Sequence, residues 1–171
     1  DYKAFQNQVL TGGTNVVPDI TLHPVGVTYY GTLRREGSDA GFYVNIAQNI
    51  PGGNDGADAN FKGTGAGVPA RADAKAGYRI FRYGANYTRA FANDWQARFQ
   101  MTGQITTDAL IAGEQFGVGG PDSVRGFLVR ELSNDRGTQF SAELYTPNLA
   151  AKFGWSGVTT RLLTYTDWGW L

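Results

Sequence analysis

A strict alternation of apolar and polar residues at residues 95–106 limits the fold of this chain more than any other feature. The apolar positions are Trp95, Ala97, Phe99, Met101, Gly103 and Ile105, and the polar positions are Gln96, Arg98, Gln100, Thr102, Gln104 and Thr106. Successive side chains of a β-strand point to opposite faces, so the pattern predicts a strand with one apolar and one polar face. Strands in soluble sheets average roughly five or six residues, whereas a tilted strand that crosses lipid hydrocarbon needs about nine to eleven. The length therefore favours a membrane-spanning strand.

The same alternation recurs along the chain and predicts about seven strands, with no convincing helix. The predicted strands cover residues 2–10, 25–34, 42–47, 78–91, 95–106, 139–145 and 161–170. Short connections after Arg34 and Phe91 alternate with long, glycine-rich ones at residues 51–77 and 108–137. Outer-membrane barrels alternate short turns with long external loops in this way, although residues 147–160 are long for their side. The predicted fold class is all-β, as part of an antiparallel transmembrane β-barrel.

Aromatic residues stand near the ends of the predicted strands, at Tyr78, Phe91, Trp95, Trp168 and Trp170. Aromatic rings are enriched at both membrane interfaces, where they meet the lipid headgroups. Each of them would also suit the core of a soluble β-sandwich. These positions therefore support the barrel without excluding a soluble sheet.

The composition agrees with strands joined by turns and argues against several classes of function. Of the 171 residues 24 are glycine, roughly twice the average share. Fifteen basic and fifteen acidic residues cancel, so no net charge would attract nucleic acid. The absence of cysteine excludes disulfides and thiolate metal sites. The sequence also has no run of about 18 apolar residues, which excludes a transmembrane helix but not a barrel.

An open sheet in lipid would leave two edges of unpaired backbone N–H and C=O groups. About seven strands are too few for a closed barrel of this kind, so we expect further strands outside the 171 residues. The first residues also lack the basic and apolar regions of a signal peptide, so either the signal was removed or the chain begins within a longer protein. We expect residues 1–171 to be part of one transmembrane barrel domain.

No constellation in the sequence predicts catalysis, a cofactor or a metal ion. The single histidine, His23, has no second histidine for a zinc site, and Ser156 lacks the G-x-S-x-G motif of hydrolases. Residues 63–68 begin like a dinucleotide-binding motif, but Val68 replaces the third glycine, so a flexible loop is predicted. Residues 54–58 are acidic without the spacing of an EF-hand, which predicts a hydrated external loop. We therefore expect a protein that is not an enzyme and needs no cofactor.

The most distinctive segment lies at residues 113–137. It reads Gly113-Glu114-Gln115-Phe116-Gly117-Val118-Gly119-Gly120-Pro121-Asp122-Ser123-Val124-Arg125-Gly126-Phe127, and later Glu131-Leu132-Ser133-Asn134-Asp135-Arg136-Gly137. The Val-Arg-Gly-Phe tetrapeptide behind Gly-Gly-x-x-Ser resembles the loop tip of two-partner secretion transporters and of their relatives, the barrel-assembly insertases. The preceding Glu-Gln-Phe resembles the secretion branch, the haemolysin and filamentous-haemagglutinin transporters.

A second motif lies on the last predicted strand. Tyr165-Thr166-Asp167-Trp168-Gly169 resembles the aromatic-x-Asp-x-Gly motif of the same family, with tyrosine in place of the usual phenylalanine. In that family the long loop folds back into the barrel lumen, and its arginine pairs with the aspartate of the later strand. The resemblance therefore implies an inward-folding loop at about residues 108–137 and a pair between Arg125 and Asp167.

The same resemblance implies a monomeric barrel of about 16 strands, of which this chain would supply about strands 7 to 13. It also implies two periplasmic repeats ahead of the barrel. The implied function is secretion of a large partner exoprotein across the bacterial outer membrane, with the lipid bilayer as the other partner. No nucleic acid is implied.

The predicted ion pair also agrees with physical chemistry. An arginine inside a confined lumen loses water and stays charged only beside an anion or several acceptors. Guanidinium and carboxylate bond bidentately, which lysine cannot reproduce. Gly119, Gly120 and Gly126 would let the backbone turn sharply around Arg125. The bland alternative is a solvated arginine on a hairpin.

The predicted site has three further parts. Val124, Gly126 and Phe127 complete the loop motif, with Gly119, Gly120, Pro121 and Ser123 as its support, and Tyr165 and Gly169 complete the strand motif. The candidates for lining the pore are Arg82, Asn86, Gln96, Arg98, Gln100, Gln104 and Glu143. These seven would also suit ordinary water-facing positions.

Two other interpretations remain open from the sequence. A barrel-assembly insertase shares both motifs, but folds other barrels into the membrane. A soluble β-sandwich that binds ligands at the cell surface would share the alternation of apolar and polar residues.

Overall fold

The computed structural model describes residues 3–5, 10–11, 14–15, 18–62 and 70–171. Part of the strand predicted at residues 2–10 lies outside this range, as does the glycine-rich segment 63–68. In the described part of the chain the regular elements are almost all strands. They are β1 (Lys3–Phe5), β2 (Leu10–Thr11), β3 (Thr14–Asn15), β4 (Ile20–Leu22), β5 (Pro24–Arg35), β6 (Ser38–Asn49), α1 (Asp58–Lys62), β7 (Arg79–Ala90), β8 (Gln96–Ile105), β9 (Phe116–Val118), β10 (Leu132–Asn134), β11 (Gly137–Tyr145) and β12 (Leu163–Trp170).

Six long strands form one antiparallel sheet in the order β12-β11-β8-β7-β6-β5. Each strand pairs with its neighbour along the chain, apart from the excursion between β8 and β11 that contains the β9–β10 hairpin. Six of the predicted strands correspond to these six, so the all-β, antiparallel fold class is confirmed. The sheet is consistent with part of a barrel wall.

The register gives this sheet one apolar and one polar face across all six strands. Along one row of pairs Val27, Ile46, Phe81 and Ile105 lie side by side, and on the opposite face Thr28, Asn45, Arg82 and Gln104 do the same. Val27 is 76% exposed, Ile46 55% and Ile105 51%, so no other part of the described chain covers these side chains of the apolar face. Such a broad exposed apolar surface requires an apolar surrounding or a partner.

The two ends of the sheet differ in the size of their connections. The end formed by residues 36–37, 91–95 and 146–162 is called the turn end. The end formed by residues 50–78 and 106–136 is called the loop end, and most irregular structure lies there.

The loop end contains a small apolar core that the sequence did not predict. Its buried members come from the segment before β5, from residues 58–80 and from the segment after β8. They are Ile20, Leu22, Phe61, Ala74, Ala76, Tyr78, Ile80, Leu110 and Ile111. The five-residue helix α1 contributes Phe61 to this core.

One sequence prediction needs correction at this core. Tyr78 is only 1% exposed, so its ring fills the core instead of facing lipid headgroups. Residues 54–58, predicted as a hydrated external loop, are exposed at Asn54, Asp55 and Asp58. This loop is also tied to neighbouring segments, because Thr21 N–H donates to the carbonyl of Asp55 at 3.0 Å and Ala76 N–H donates to the carboxylate of Asp58 at 2.8 Å.

A soluble sandwich would need a second sheet packed on the first. In the described part of the chain, the other sheets have two strands each, of two or three residues, which is too little for such a layer. Among the described residues no helix has the length and apolar character needed to span a membrane.

Candidate functional site

The long connection after β8, residues 106–136, folds back over the polar face of the sheet and is called the loop. A turn of 3₁₀ helix at Ala112–Glu114 leads into β9, which pairs with β10. The segment between them, residues 119–131, is called the tip. Gly119, Gly120 and Gly126 have φ of +112°, +106° and +92°, values that L side chains rarely adopt, so the reversal of the chain depends on glycine.

Arg125 in the tip is held by an acidic side chain of β12. Its Nε donates to Oδ2 of Asp167 at 2.6 Å, and its Nη2 donates to Oδ1 of the same carboxylate at 2.6 Å. The backbone N–H of Arg125 also donates to Asp167 Oδ2 at 3.1 Å. The side chain of Asp167 is 3% exposed and that of Arg125 is 21% exposed, so the pair is largely withdrawn from water.

Three more side chains complete the surroundings of the guanidinium. Nη1 donates to Glu143 Oε1 at 2.6 Å, Nη2 donates to Ser141 Oγ at 3.0 Å, and the ring of Tyr165 lies 3.6 Å below Cζ. Burial of a cation is unfavourable unless anions and acceptors replace its water, and two carboxylates, a hydroxyl and an aromatic face do so here. The arginine is thus fixed in direction as well as position.

The sheet register explains why these side chains meet. Ser141 pairs with Asp167, and Glu143 pairs with Tyr165. Residues two apart on a strand share a face, so the two pairs form a four-cornered frame on the polar face of β11 and β12. The pairing of β11 with β12 is enough to form this frame, and Arg125 of the loop fits into it.

Gly169 provides the space into which the loop packs. A side chain at Gly169 would place its Cβ 2.5 Å from Val118 Cγ1 and 3.2 Å from Val124 Cγ2. Nearby, Ser123 accepts a hydrogen bond from Gly119 N–H at 3.1 Å and donates one to Gln139 Oε1 on β11. The tip is therefore seated on the sheet by packing as well as by charge.

The outer part of the tip makes less contact. Pro121 is exposed, and Phe127 is 58% exposed beside the still more exposed Leu128 and Val129. The predicted motif residues thus divide into Val124 and Arg125, which face the sheet, and Phe127, which does not.

Two of the seven candidates for lining the pore lie beneath the base of the loop. Gln104 is only 3% exposed, and Arg82 donates to Glu114 Oε2 at 2.8 Å. A third candidate, Glu143, binds Arg125. In this arrangement these three side chains bind the loop or lie beneath it. Their role in lining a route stays a prediction.

The other four candidates share the polar face and form no hydrogen bond or ion pair with the loop among the described residues. Arg98 lies over the ring of Tyr145 at 4.7 Å, and the hydroxyl of Tyr145 donates to Glu143 Oε2 at 2.6 Å. Gln100 is exposed, Gln96 is half-buried, and Asn86 lies against Gly41. Their role along a route stays a prediction.

A second charged cluster, at the loop base, was missed by the sequence analysis. Asp135 on the return limb binds Arg71 from the connection between β6 and β7, and Leu110 N–H donates to it at 3.1 Å. Burial by itself raises the pKa of Asp135, but the hydrogen bonds from Arg71, Leu110 and Gln115 outweigh it and hold the pKa below its ordinary value. Asp135 is therefore an anion at neutral pH.

The contacts that the sequence analysis missed differ in whether the sequence carried a signal for them. Ser141 and Glu143 follow the alternation of β11, and they could have been placed opposite Asp167 and Tyr165 once the strands were paired. Glu114, Asp135 and Arg71 come from irregular segments far apart in the chain, so no local pattern indicates their contacts. Among the residues that the structure describes, no group of three or more acidic or histidine side chains could hold a metal ion.

A comparison with known proteins identifies the family of this chain. A family model described as haemolysin secretion/activation protein ShlB/FhaC/HecB matches residues 32–171, which include the loop, the Arg125 frame and most of the sheet. No curated protein and no solved structure matches the chain significantly. The family indicated by the two sequence motifs is thereby confirmed, and the chain belongs to the haemolysin secretion/activation family ShlB/FhaC/HecB.

Proposed function

We propose that this chain forms part of the wall and the folded-in loop of an outer-membrane pore that secretes one large partner exoprotein. The family is one of secretion proteins of the Gram-negative outer membrane. The observation that carries the proposal is the seating of Arg125 on the polar face, between the carboxylates of Asp167 and Glu143. A long loop held in this way over a polar surface suits a closed route that opens when the loop moves.

The two faces of the sheet support a wall between lipid and water. The apolar face, with Val27 at 76% and Tyr29 at 66% exposure, would contact the lipid bilayer. The polar face, with Asn86, Arg98 and Gln100, would line the lumen for a polypeptide that travels unfolded. All residues of the chain would then belong to one monomeric barrel domain.

Transport in this proposal needs no nucleotide. The passing chain would gain free energy by folding on the outside, which would bias its direction. The pore would supply a wet path and a gate. Displacement of the tip, residues 119–131, would be the gating step.

The substrate can be identified by deleting the gene for this protein and comparing the proteins of the medium and the envelope by mass spectrometry. We expect one large exoprotein to disappear from the medium while the other outer-membrane barrels keep their abundance. Loss of many barrels from the outer membrane, with secretion unchanged, would instead favour an assembly insertase and would refute secretion as the function.

The role of the ion pair can be tested with Arg125→Ala. Truncation leaves Asp167 and Glu143 without their cation, so the tip should lose its seat; we expect at least a severalfold fall in secretion of that exoprotein. The amount of folded, heat-modifiable barrel should stay normal, because the sheet hydrogen bonds are untouched. Arg136→Ala is the matched control, since Arg136 is exposed and its side chain makes no hydrogen bond or ion pair in the described part of the chain.

Movement of the tip can be tested by linking it to the wall. The side chains of Ser123 and Gln139 touch, and the chain has no cysteine, so Ser123→Cys with Gln139→Cys provides a single site for a short thiol cross-linker. We expect cross-linked protein to stop secreting and each single variant, treated alike, to continue. Undiminished secretion by the linked protein would rule out displacement of the tip as the gating step.

A further inference from the structure

The base of the loop is held to the wall by a set of contacts separate from the Arg125 frame. Gln104 on β8 is almost fully buried beneath it. Its Nε2 donates one hydrogen bond to the carbonyl of Glu114 at 2.9 Å and another to the carbonyl of Asp135 at 3.0 Å. Glu114 lies on the outgoing limb of the loop and Asp135 on the return limb, so one side chain bonds both limbs.

The orientation of this carboxamide follows from its partners. Its two neighbours on one side are carbonyl oxygens, which only accept, and its Oε1 accepts from Arg82 Nε at 2.9 Å. A carboxamide has two N–H donors on nitrogen and an acceptor oxygen, and all of these functions are used. No other orientation of the amide would satisfy the three partners.

The side chain of Glu114 also holds the outgoing limb of the loop in place. It is only 3% exposed and accepts from Lys3 Nζ at 2.7 Å and from Arg82 Nη2 at 2.8 Å. Arg82 thus bonds both Gln104 and Glu114. A buried carboxylate between two cations, adjacent to a buried amide, is costly to rearrange.

We propose that Gln104 is a positioning residue that clamps the neck of the loop, defined as Glu114 and Asp135, so that the tip moves about a fixed base when Arg125 leaves its frame. The inference rests on the proposed function in so far as the loop is taken to be the moving part. It goes further in assigning two anchors with different tasks. Gln104 holds the neck in place, and the Arg125 frame holds the tip until it is released.

The variant Gln104→Glu tests the clamp with little change of shape. The glutamate keeps an oxygen that accepts from Arg82. The carbonyls of Glu114 and Asp135 then face a carboxylate oxygen, which cannot donate, so the two hydrogen bonds from Gln104 Nε2 are lost. Gln100→Glu is the matched control, because Gln100 lies on the same strand and face, is exposed, and makes no side-chain hydrogen bond among the described residues. The intact protein is purified in detergent, and trypsin cleavage after Arg130 in the tip is followed with time.

We expect Gln104→Glu to be cleaved after Arg130 roughly tenfold faster than the wild type, since two buried hydrogen bonds no longer hold the limbs together. Gln100→Glu should be cleaved at the wild-type rate. Combined with Arg125→Ala, the change at Gln104 should accelerate cleavage further, because separate anchors contribute separately. Equal rates for Gln104→Glu and Gln100→Glu would overturn the proposal.

Folding of the variants is checked by the heat-modifiable mobility of the barrel. Should Gln104→Glu not fold, Gln104→Leu and Gln100→Leu are compared in the same way, and equal cleavage rates for this pair would also overturn the clamp. The measurement requires no exported substrate. A failure of the clamp is therefore distinguishable from a failure of the secretion function, which is measured on the medium.

Discussion

At the scale of single residues, Arg125 shows why the loop motif contains arginine. Its Nε, Nη1 and Nη2 donate to Asp167, Glu143 and Ser141, and its flat face lies on the ring of Tyr165. A lysine ammonium is a point charge without a planar fork or a flat face. One residue type therefore meets four neighbours at once, and its partners come from two adjacent strands.

Gly169 gives a residue-scale prediction that does not alter any charge. In Gly169→Val the new side chain would overlap Val118 and crowd Val124, so the loop must rise from the sheet. Overpacking of this kind costs about 1 to 3 kcal/mol, which should lower occupancy of the seated position at least severalfold. We expect a lower yield of the cross-link between cysteines at positions 123 and 139, together with normal assembly of the barrel.

The control is Thr166→Val, which places the same valine side chain on the same strand. Thr166 pairs with Ala142 on the apolar face, away from the loop. Its cross-linking yield should equal that of the parent protein. An unchanged yield in Gly169→Val would show that the loop does not rest on this glycine.

At the scale of elements, three strands of the sheet contain a glycine that an aromatic ring covers from the neighbouring strand. Phe42 lies over Gly31, Tyr43 over Gly84 and Tyr83 over Gly103, each at its cross-strand pair. Glycine weakens a strand because it has no side chain to pack, and a ring folded over it restores that contact. The high glycine content thus serves the sheet as well as the turns.

The sequence predicted the long strands well because alternation is a local signal with many repeats. The end of β7 was placed within one residue, as was the start of β8. The two-residue ladders, β9, β10 and α1 are too short to carry such a period. The apolar core at the loop end unites residues 20–22, 61 and 74–80 with 110–111, and contacts over such separations leave no pattern in one sequence.

The candidate site was likewise predicted where a local motif exists and missed where contacts join distant segments. The resemblance of two motifs indicated Arg125 and Asp167, while Glu143 was predicted as a candidate for lining the pore and not as a partner of Arg125. The neck contacts of Gln104 with Glu114 and Asp135 depend on backbone carbonyls, which no side-chain motif records.

The apolar core predicts that the loop end has stability of its own. Phe61 is fully buried, and Phe61→Ala should cost about 3 to 5 kcal/mol. We expect faster hydrogen exchange of the backbone amides in residues 50–62 and 70–80, with little change in β8 and β11. The control is Tyr78→Phe, because the buried hydroxyl of Tyr78 has no hydrogen-bond partner among the described residues and its removal should cost nothing. Equal exchange in both variants would contradict a packed core.

At the turn end, an ion pair between Asp94 and Arg161 should stabilise the fold by an amount that depends on pH. Both oxygens of Asp94, in the turn between β7 and β8, accept from Arg161 Nη2 at 2.8 and 2.9 Å, and Asn148 N–H donates to Asp94 at 3.0 Å. The hydrogen bond from Arg161, followed by that from Asn148, lowers the pKa of Asp94. A carboxyl whose pKa is lower in the folded state stabilises that state above its unfolded pKa of about 3.9, and this stabilisation is lost as pH falls through the folded-state pKa.

The comparison of wild type with Asp94→Asn therefore has a definite sign. The variant should unfold at a lower urea concentration at neutral pH, by a small margin because the pair is exposed, and the difference should vanish in strong acid. Asp122→Asn, at an exposed acidic position in the tip without a hydrogen bond or ion pair in the described part of the chain, is the control and should show no such difference. A gap between wild type and Asp94→Asn that persists in strong acid would exclude the carboxylate as its cause.

At the scale of the whole molecule, the two faces of the sheet differ in polarity and in what covers them. The apolar face has exposed large side chains on β5, β6, β8, β11 and β12. The polar face is covered near β11 and β12 by the loop. The barrel in lipid that we propose accounts for both faces, since it would place hydrocarbon outside and water inside.

This arrangement predicts different outcomes for a substitution to arginine at two adjacent positions. Phe99 lies on the apolar side, paired with Tyr87 and Ala142, and Gln100 lies on the polar side, paired with Asn86 and Ser141. Arginine on the lipid face near the middle of the membrane costs about 2 to 4 kcal/mol, whereas a lumen position keeps its water. We expect Phe99→Arg to lower the amount of folded barrel in the outer membrane and Gln100→Arg to leave it unchanged, as measured by heat-modifiable mobility. If both faces of the sheet met water, the two variants would give equal amounts of folded barrel. A lower amount for Phe99→Arg alone is expected only if the apolar face meets hydrocarbon.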